Sequence, residues 1–174
     1  MKGKTLWGLI LAMNVGWTTV AAQTVLSGGG DLNPDLKTSA EALKKWQDLR
    51  VGMCVHWGPS SLSGKEIGWS RSTSVPKNTY DSLYLRFNPE RFDADQWCQL
   101  MKRWGMRYFA PTTKHHDGFA LWFSDVSPYD MEATPVKRDL LAEMKAACDR
   151  HGILFGAYYS ILDWYHPDCA PHEY

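Results

Sequence analysis

Three histidines, a glutamate and a tryptophan carry the chemistry that this sequence offers: His56, the adjacent pair His115 and His116, and Glu66 beside Trp69. A neutral imidazole donates a hydrogen bond at one nitrogen and accepts at the other, which suits a hydroxyl-rich ligand. Neighbours on an extended segment point in opposite directions, so one of His115 and His116 can face a central site and the other its wall. Glu66 and Trp69 lie in a stretch with Gly64 and Gly68 around them. A carboxylate that accepts hydroxyl protons beside a flat indole face is a common physical solution for holding a sugar. The plainer reading is a structural histidine, a solvated glutamate and a loop tryptophan packed on a rim. Three histidines also raise a metal site, but no HxH, no HExxH and no histidine with a carboxylate at ligand spacing occurs. No metal and no other cofactor is therefore expected. GxGxxG, GxxxxGK[ST] and GxSxG are absent too, so nucleotide binding and the best-marked serine-hydrolase route have no support.

The elements that would position these residues alternate between strand and helix. Ser39 can cap a short helix with Leu43, Trp46 and Leu49 at helical spacing, and residues 51–57 follow as a compact apolar strand. Asp93 and Gln96 form a capping pair ahead of a helix whose Trp97, Leu100, Met101 and Trp104 are expected to face inward. Gly105 ends it, and residues 107–113 read as the second strand, with Pro111 weakening its last residues. A helix from Asp139, with Leu140, Leu141, Met144, Ala147 and Cys148 inward, ends at Gly152 and leads to a third strand over 153–160. This alternation predicts a parallel sheet with helical crossovers, an α/β class. Helix-to-strand links are one or two residues, whereas the strand-to-helix links run over 58–92 and 114–137. Long loops at the C-terminal ends of parallel strands build active sites. His56, the run Lys114-His115-His116-Asp117 and the segment from Tyr158 to Asp163 fall just there.

Composition narrows the class further. The 174 residues are 44% hydrophobic and 22% charged, with 19 basic and 19 acidic side chains, an ordinary globular balance. Zero net charge argues against a nucleic-acid partner, which would need phosphate neutralisation. Lys2 and Lys4, the apolar stretch Leu6 to Met13, and Val20-Ala21-Ala22 form the three-part pattern of a signal peptide over 1–22. The apolar part falls well short of the roughly 20 residues that span a bilayer, so no membrane span is expected. Export is predicted, to the periplasm or outside the cell, or to the lysosome in a eukaryote. Residues 23–38, with Gly28-Gly29-Gly30 and Pro34, read as a flexible leader, and 39–174 as the folded part. Cys54, Cys98, Cys148 and Cys169 are far apart with no CxxC, and buried free thiols are expected over a disulfide framework.

Taken together, Val55-His56-Trp57-Gly58, Glu66-Ile67-Gly68-Trp69-Ser70, Tyr80-Asp81 with Phe87-Asn88-Pro89, Thr112-Thr113-Lys114-His115-His116-Asp117-Gly118-Phe119, and Tyr158-Tyr159-Ser160 with Asp163-Trp164 closely resemble the family 29 α-L-fucosidases. The resemblance runs from about Trp46 to the end of the chain in the same order, and the TTKHHDGF run is highly specific. It implies a (β/α)8 barrel, of which this chain holds the first three strands and their helices. It also implies a retaining, exo-acting hydrolase of terminal α-L-fucose, with a fucosylated glycan as partner. His56, Glu66, His115 and His116 take the places of the fucose-hydroxyl ligands, and Tyr158 that of the tyrosine near the anomeric centre. Trp69 corresponds to the tryptophan wall, although many relatives carry tryptophan directly after the glutamate. A retaining glycosidase needs two carboxyl groups about 5–5.5 Å apart, and the family places both after later strands. Asp117 and Asp163 match other parts of the pattern, so no catalytic residue is expected in this chain, and the nucleophile and acid/base are expected beyond Tyr174. The expectation is thus a truncated N-terminal part of a secreted fucosidase. A non-catalytic fucose-binding or interaction protein is the alternative, and a metal-dependent hydrolase ranks third.

Overall fold

Parallel pairing of three strand paths, with a helix between each pair, is what the alternating hydrophobic spacing produces. The computed structural model describes residues 34–169. The signal peptide and most of the leader lie outside these residues; Pro34–Leu36 forms one exposed 3-10 turn. Strand β1 (Gly52–Val55) runs parallel to β2 (Tyr108–Lys114), with Gly52 opposite Tyr108 and Val55 opposite Pro111. On its other side β2 pairs in parallel with β3 (Leu154–Phe155), and beyond an irregularity with β4 (Tyr158–Tyr159). Two corrections follow for the strands. The expected third strand is broken at Gly156-Ala157, where the Gly156 N–H still donates to the Phe109 carbonyl at 2.8 Å and a side-chain-free residue lets the path shift. Strand β2 passes through Pro111 to Lys114; a missing donor is tolerated there because β1 ends opposite it.

The helices α1 (Ala40–Leu49), α3 (Ala94–Arg103) and α4 (Leu140–His151) stand where spacing places them, while the short α2 (Lys77–Tyr80) lies inside the first long loop. The α3 cap is as expected: Asp93 accepts from the Gln96 N–H at 3.0 Å, and the Gln96 side-chain amide donates to its second oxygen. The inward face differs from the expectation. Ala94, Cys98 and Met101 are buried, Leu100 is exposed and Trp104 is 71% exposed. Met101 and the partly buried Trp97 face the core as expected, the small residues Ala94 and Cys98 turn inward beside them, Cys98 against Cys148 of α4, and Leu100 and Trp104 are left outside. On α4, Leu140, Met144, Ala147 and Cys148 are buried as expected, while Leu141 is only half-buried. Helix α1 buries no side chain, and Trp46 only tilts against the Tyr108 ring at 4.8 Å. Phe92, Met101, Phe109, Phe119, Leu140 and Met144 make up the centre of the core. Met53 and Val55 pack against it, so alternation along β1 turns Cys54 to the other side, where it is exposed rather than buried. No helix among the described residues is long and apolar enough to cross a membrane.

Candidate active site

The sheet delivers its polar residues to one end. His56 follows β1 directly, His115 and His116 follow β2, and Tyr158 lies in β4, all at C-terminal ends of parallel strands. Their rings meet. His56 and His115 are 5.3 Å apart between ring centres, His115 and His116 4.5 Å, and His56 and Tyr158 5.1 Å. The Tyr158 ring stacks on His115 at 5.7 Å, with 16° between the planes. Trp69 stands edge-on to His116 at 5.3 Å and is 47% exposed, so it forms an open wall. Glu66 is exposed on the same loop, and its carboxylate has no hydrogen bond or ion pair among the described residues. Five of the six expected site residues therefore touch in one ring cluster, and Glu66 sits beside it in sequence without touching it. A cavity of about 510 Å3 elsewhere, lined by Ser124, Asp125 and Asp130 among others, shares no residue with the cluster.

Local structure explains why the His115 and His116 rings resist protonation and keep their orientation. His115 is buried, and desolvation together with the neighbouring His116 and His56 lowers its pKa to about 4. Burial, and the nearby Lys114 ammonium, also lower the pKa of His116. Two imidazoles whose charged form is disfavoured can each donate to one group and accept from another at neutral pH. The His116 tautomer follows from its neighbour: the Ser160 hydroxyl gives its proton to the Leu162 carbonyl at 2.8 Å, so it must accept from Nδ1–H of His116. Nε2 of His116 is then an acceptor. Nδ1 of His115 has no hydrogen-bond partner among the described residues and lies against Gly68, which leaves Nε2 as the nitrogen open to a ligand.

Other residues that sequence reasoning passed over do the positioning. The Tyr80 hydroxyl accepts from the Gly68 N–H at 2.7 Å and donates to Asp117 Oδ2 at 2.5 Å, tying the first loop to the turn after β2. Trp164 completes the wall, 5.3 Å from Trp69 and 5.1 Å from His116, and its main-chain N–H donates to the His116 carbonyl. The Lys114 ammonium bonds Asp163 Oδ2 at 2.9 Å and lies over the Tyr159 ring. Tyr80, Ser160 and Trp164 all stood in recognisable runs of the sequence; only three-dimensional contact reveals what each holds.

The profile of the family described as Alpha-L-fucosidase matches residues 27–174. The chain belongs to the α-L-fucosidase family. Among curated relatives, tissue alpha-L-fucosidase of Mus musculus is 32% identical over 77% of this chain and 34% of its own length. That of Macaca fascicularis is 30% identical over 95% of this chain and 39% of its length. A solved family 29 alpha-L-fucosidase from Bacteroides thetaiotaomicron superposes with a TM-score of 0.69 at 35% identity, over 76% of this chain and 32% of that one. The alpha-L-fucosidase from Lactobacillus casei in complex with alpha-L-fucose product gives 0.66 at 39% identity, over 73% and 43%. The chain thus spans about a third of the length of the curated relatives it matches. The match to barrel enzymes of this family fits the α/β fold and its open, three-path sheet.

Proposed function

We propose that this chain carries the fucose-recognition part of a secreted, exo-acting α-L-fucosidase that releases terminal α-L-fucose from glycans with retention of configuration. The observation that carries the reading is the cluster of three imidazoles, His56, His115 and His116, gathered with Tyr158 at the C-terminal ends of the strands, with the pKa of His115 and of His116 lowered. In this reading the Nε2 atoms of His115 and His116 meet sugar hydroxyls, Trp69 and Trp164 cover an apolar face of the ring, and Glu66 accepts a further hydroxyl proton. Tyr158 stands near the anomeric carbon. A solved relative is described as a trapped covalent intermediate with a 2-fluoro-fucosyl fluoride, which supports the two-step displacement that retention requires. Relatives named plasma alpha-L-fucosidase support secretion.

The nucleophile and acid/base are proposed to lie outside the described residues, because the two nearby aspartates are already engaged. Asp117 is buried, bonded to the Tyr80 hydroxyl, and its pKa is raised by desolvation. Asp163 is paired with Lys114 and accepts the Tyr165 and His166 N–H groups. The test is to titrate the whole chain with L-fucose by calorimetry. His115→Ala and His116→Ala each remove a hydroxyl partner and are expected to cost about 1–3 kcal/mol, roughly 5- to 150-fold in affinity. Lys77→Ala, on the exposed face of α2, is expected to change nothing. Small and equal effects at all three positions would overturn the assignment.

A further inference from the structure

We propose that Cys98 and Cys148 form a disulfide when the chain folds in the presence of an external disulfide, clasping α3 to α4. Their sulfurs lie 3.8 Å apart, both side chains are buried, and 50 residues separate them. The register that brings them together does not depend on the sulfurs. Asp95 of α3 bonds Arg150 at 2.7 Å and His151 at 2.8 Å, both at the end of α4. The small side chains Ala94 and Ala147, both buried, let the helices approach. A disulfide needs about 2.0 Å between sulfurs, so the remaining gap is shared between two side chains that can each rotate about Cα–Cβ. Exposed Cys54, on the other face of β1, is not placed to compete.

The chemistry is ordinary thiol–disulfide exchange with a small disulfide such as oxidised glutathione. One cysteine thiolate attacks that disulfide, forming a mixed disulfide and expelling a thiolate. The second cysteine gives up its proton and attacks the mixed disulfide, closing the protein bond and expelling the second thiolate. The pair is oxidised, and the external disulfide is reduced to two thiols. Burial raises the thiol pKa of Cys98 and takes that of Cys148 to about 12, so exchange is slow once the helices have packed and is expected during folding. The same burial shields the finished bond. The closed loop contains β2 together with His115 and His116, so the clasp braces the segment that bears the candidate site.

The experiment refolds the whole chain from denaturant with a mixture of reduced and oxidised glutathione, and in parallel with dithiothreitol. Each product is acid-quenched, alkylated, digested with trypsin and mapped by mass spectrometry. The oxidised sample is expected to yield residues 92–102 joined to 146–150, a species that disappears on reduction. Its thermal midpoint is expected to exceed that of the reduced sample by on the order of 10 °C, and Cys98→Ala is expected to abolish both effects. Alkylation of both Cys98 and Cys148 after the oxidising refold would overturn the proposal. So would a mixture of crosslinks through Cys54 or Cys169, or a crosslink that leaves the thermal midpoint unchanged or lower.

Discussion

His115 is the residue on which the site turns, and its environment sets a cost that can be measured. Water is excluded from its ring, and two other imidazoles stand within 5.3 Å between ring centres, so the folded protein resists protonating it down to about pH 4. In the unfolded chain the same side chain takes a proton near pH 6.5. Between those values the unfolded state binds more protons than the folded one, so stability falls as the pH drops through this window. Above it, both states are neutral and the contribution vanishes. His115→Gln removes the titration and keeps a polar side chain. The expected outcome is that the stability difference between wild type and variant, taken from urea unfolding, shifts against the wild type between pH 7 and pH 5. The slope is at most about 1.4 kcal/mol per pH unit. A difference that is flat over this range would mean that His115 accepts a proton in the folded protein as readily as in water, and the neutral-imidazole account of the site would fail.

Two loops, rather than any strand, decide whether the rings sit where a sugar could use them. The loop after β1 brings Gly68 so close to His115 that a β-carbon added there would stand 2.4 Å from Nδ1, and Gly68 itself has φ of +69°. Tyr80, at the end of α2, holds this loop to the turn after β2 through one hydroxyl that serves both Gly68 and Asp117. Tyr80→Phe keeps the buried ring but leaves the Gly68 N–H and the Asp117 carboxyl without that partner, at an expected cost of about 1–3 kcal/mol. Faster hydrogen exchange at the Gly68 amide, with weaker fucose binding, is the expected signature; unchanged exchange would show that the hydroxyl is not the link. Such ties explain what was legible in the sequence. The strand and helix order, the Asp93 cap and the five ring residues were readable, because periodicity, capping and strand-end placement are local signals. The break at Gly156, the outward turn of Leu100 and Trp104, and the exposure of Cys54 were not, because each depends on which face a neighbouring element covers. Tyr80 was visible as part of a run, yet its role depends on a contact 37 residues away.

At the scale of the molecule, the proposed function separates recognition from bond cleavage. The described residues gather three imidazoles and an aromatic wall, while the proposed retaining displacement also needs a carboxylate below the anomeric carbon and an acid about 5–5.5 Å from it. Asp163 is the residue that could contradict this separation, since it follows Tyr158 by five positions and Lys114 holds it near the same strand ends. Its geometry is that of a structural anchor: one oxygen faces the Lys114 ammonium, and the other accepts two backbone N–H groups. That second oxygen also lies 2.4 Å from where a Gly118 β-carbon would stand, so the carboxylate is packed against the turn after β2. Three of the roughly four acceptor sites of this carboxylate are thereby taken, two on Oδ1 and one on Oδ2, which holds it in place as an anchor. The expectation is that the chain as it stands binds L-fucose yet hydrolyses an aryl α-L-fucoside no faster than buffer. Asp163→Asn is expected to lower thermal stability, through loss of the Lys114 pair, without altering the rate. Turnover well above the buffer rate in the wild type that disappears in Asp163→Asn would make Asp163 the nucleophile and unite the two functions in this one segment.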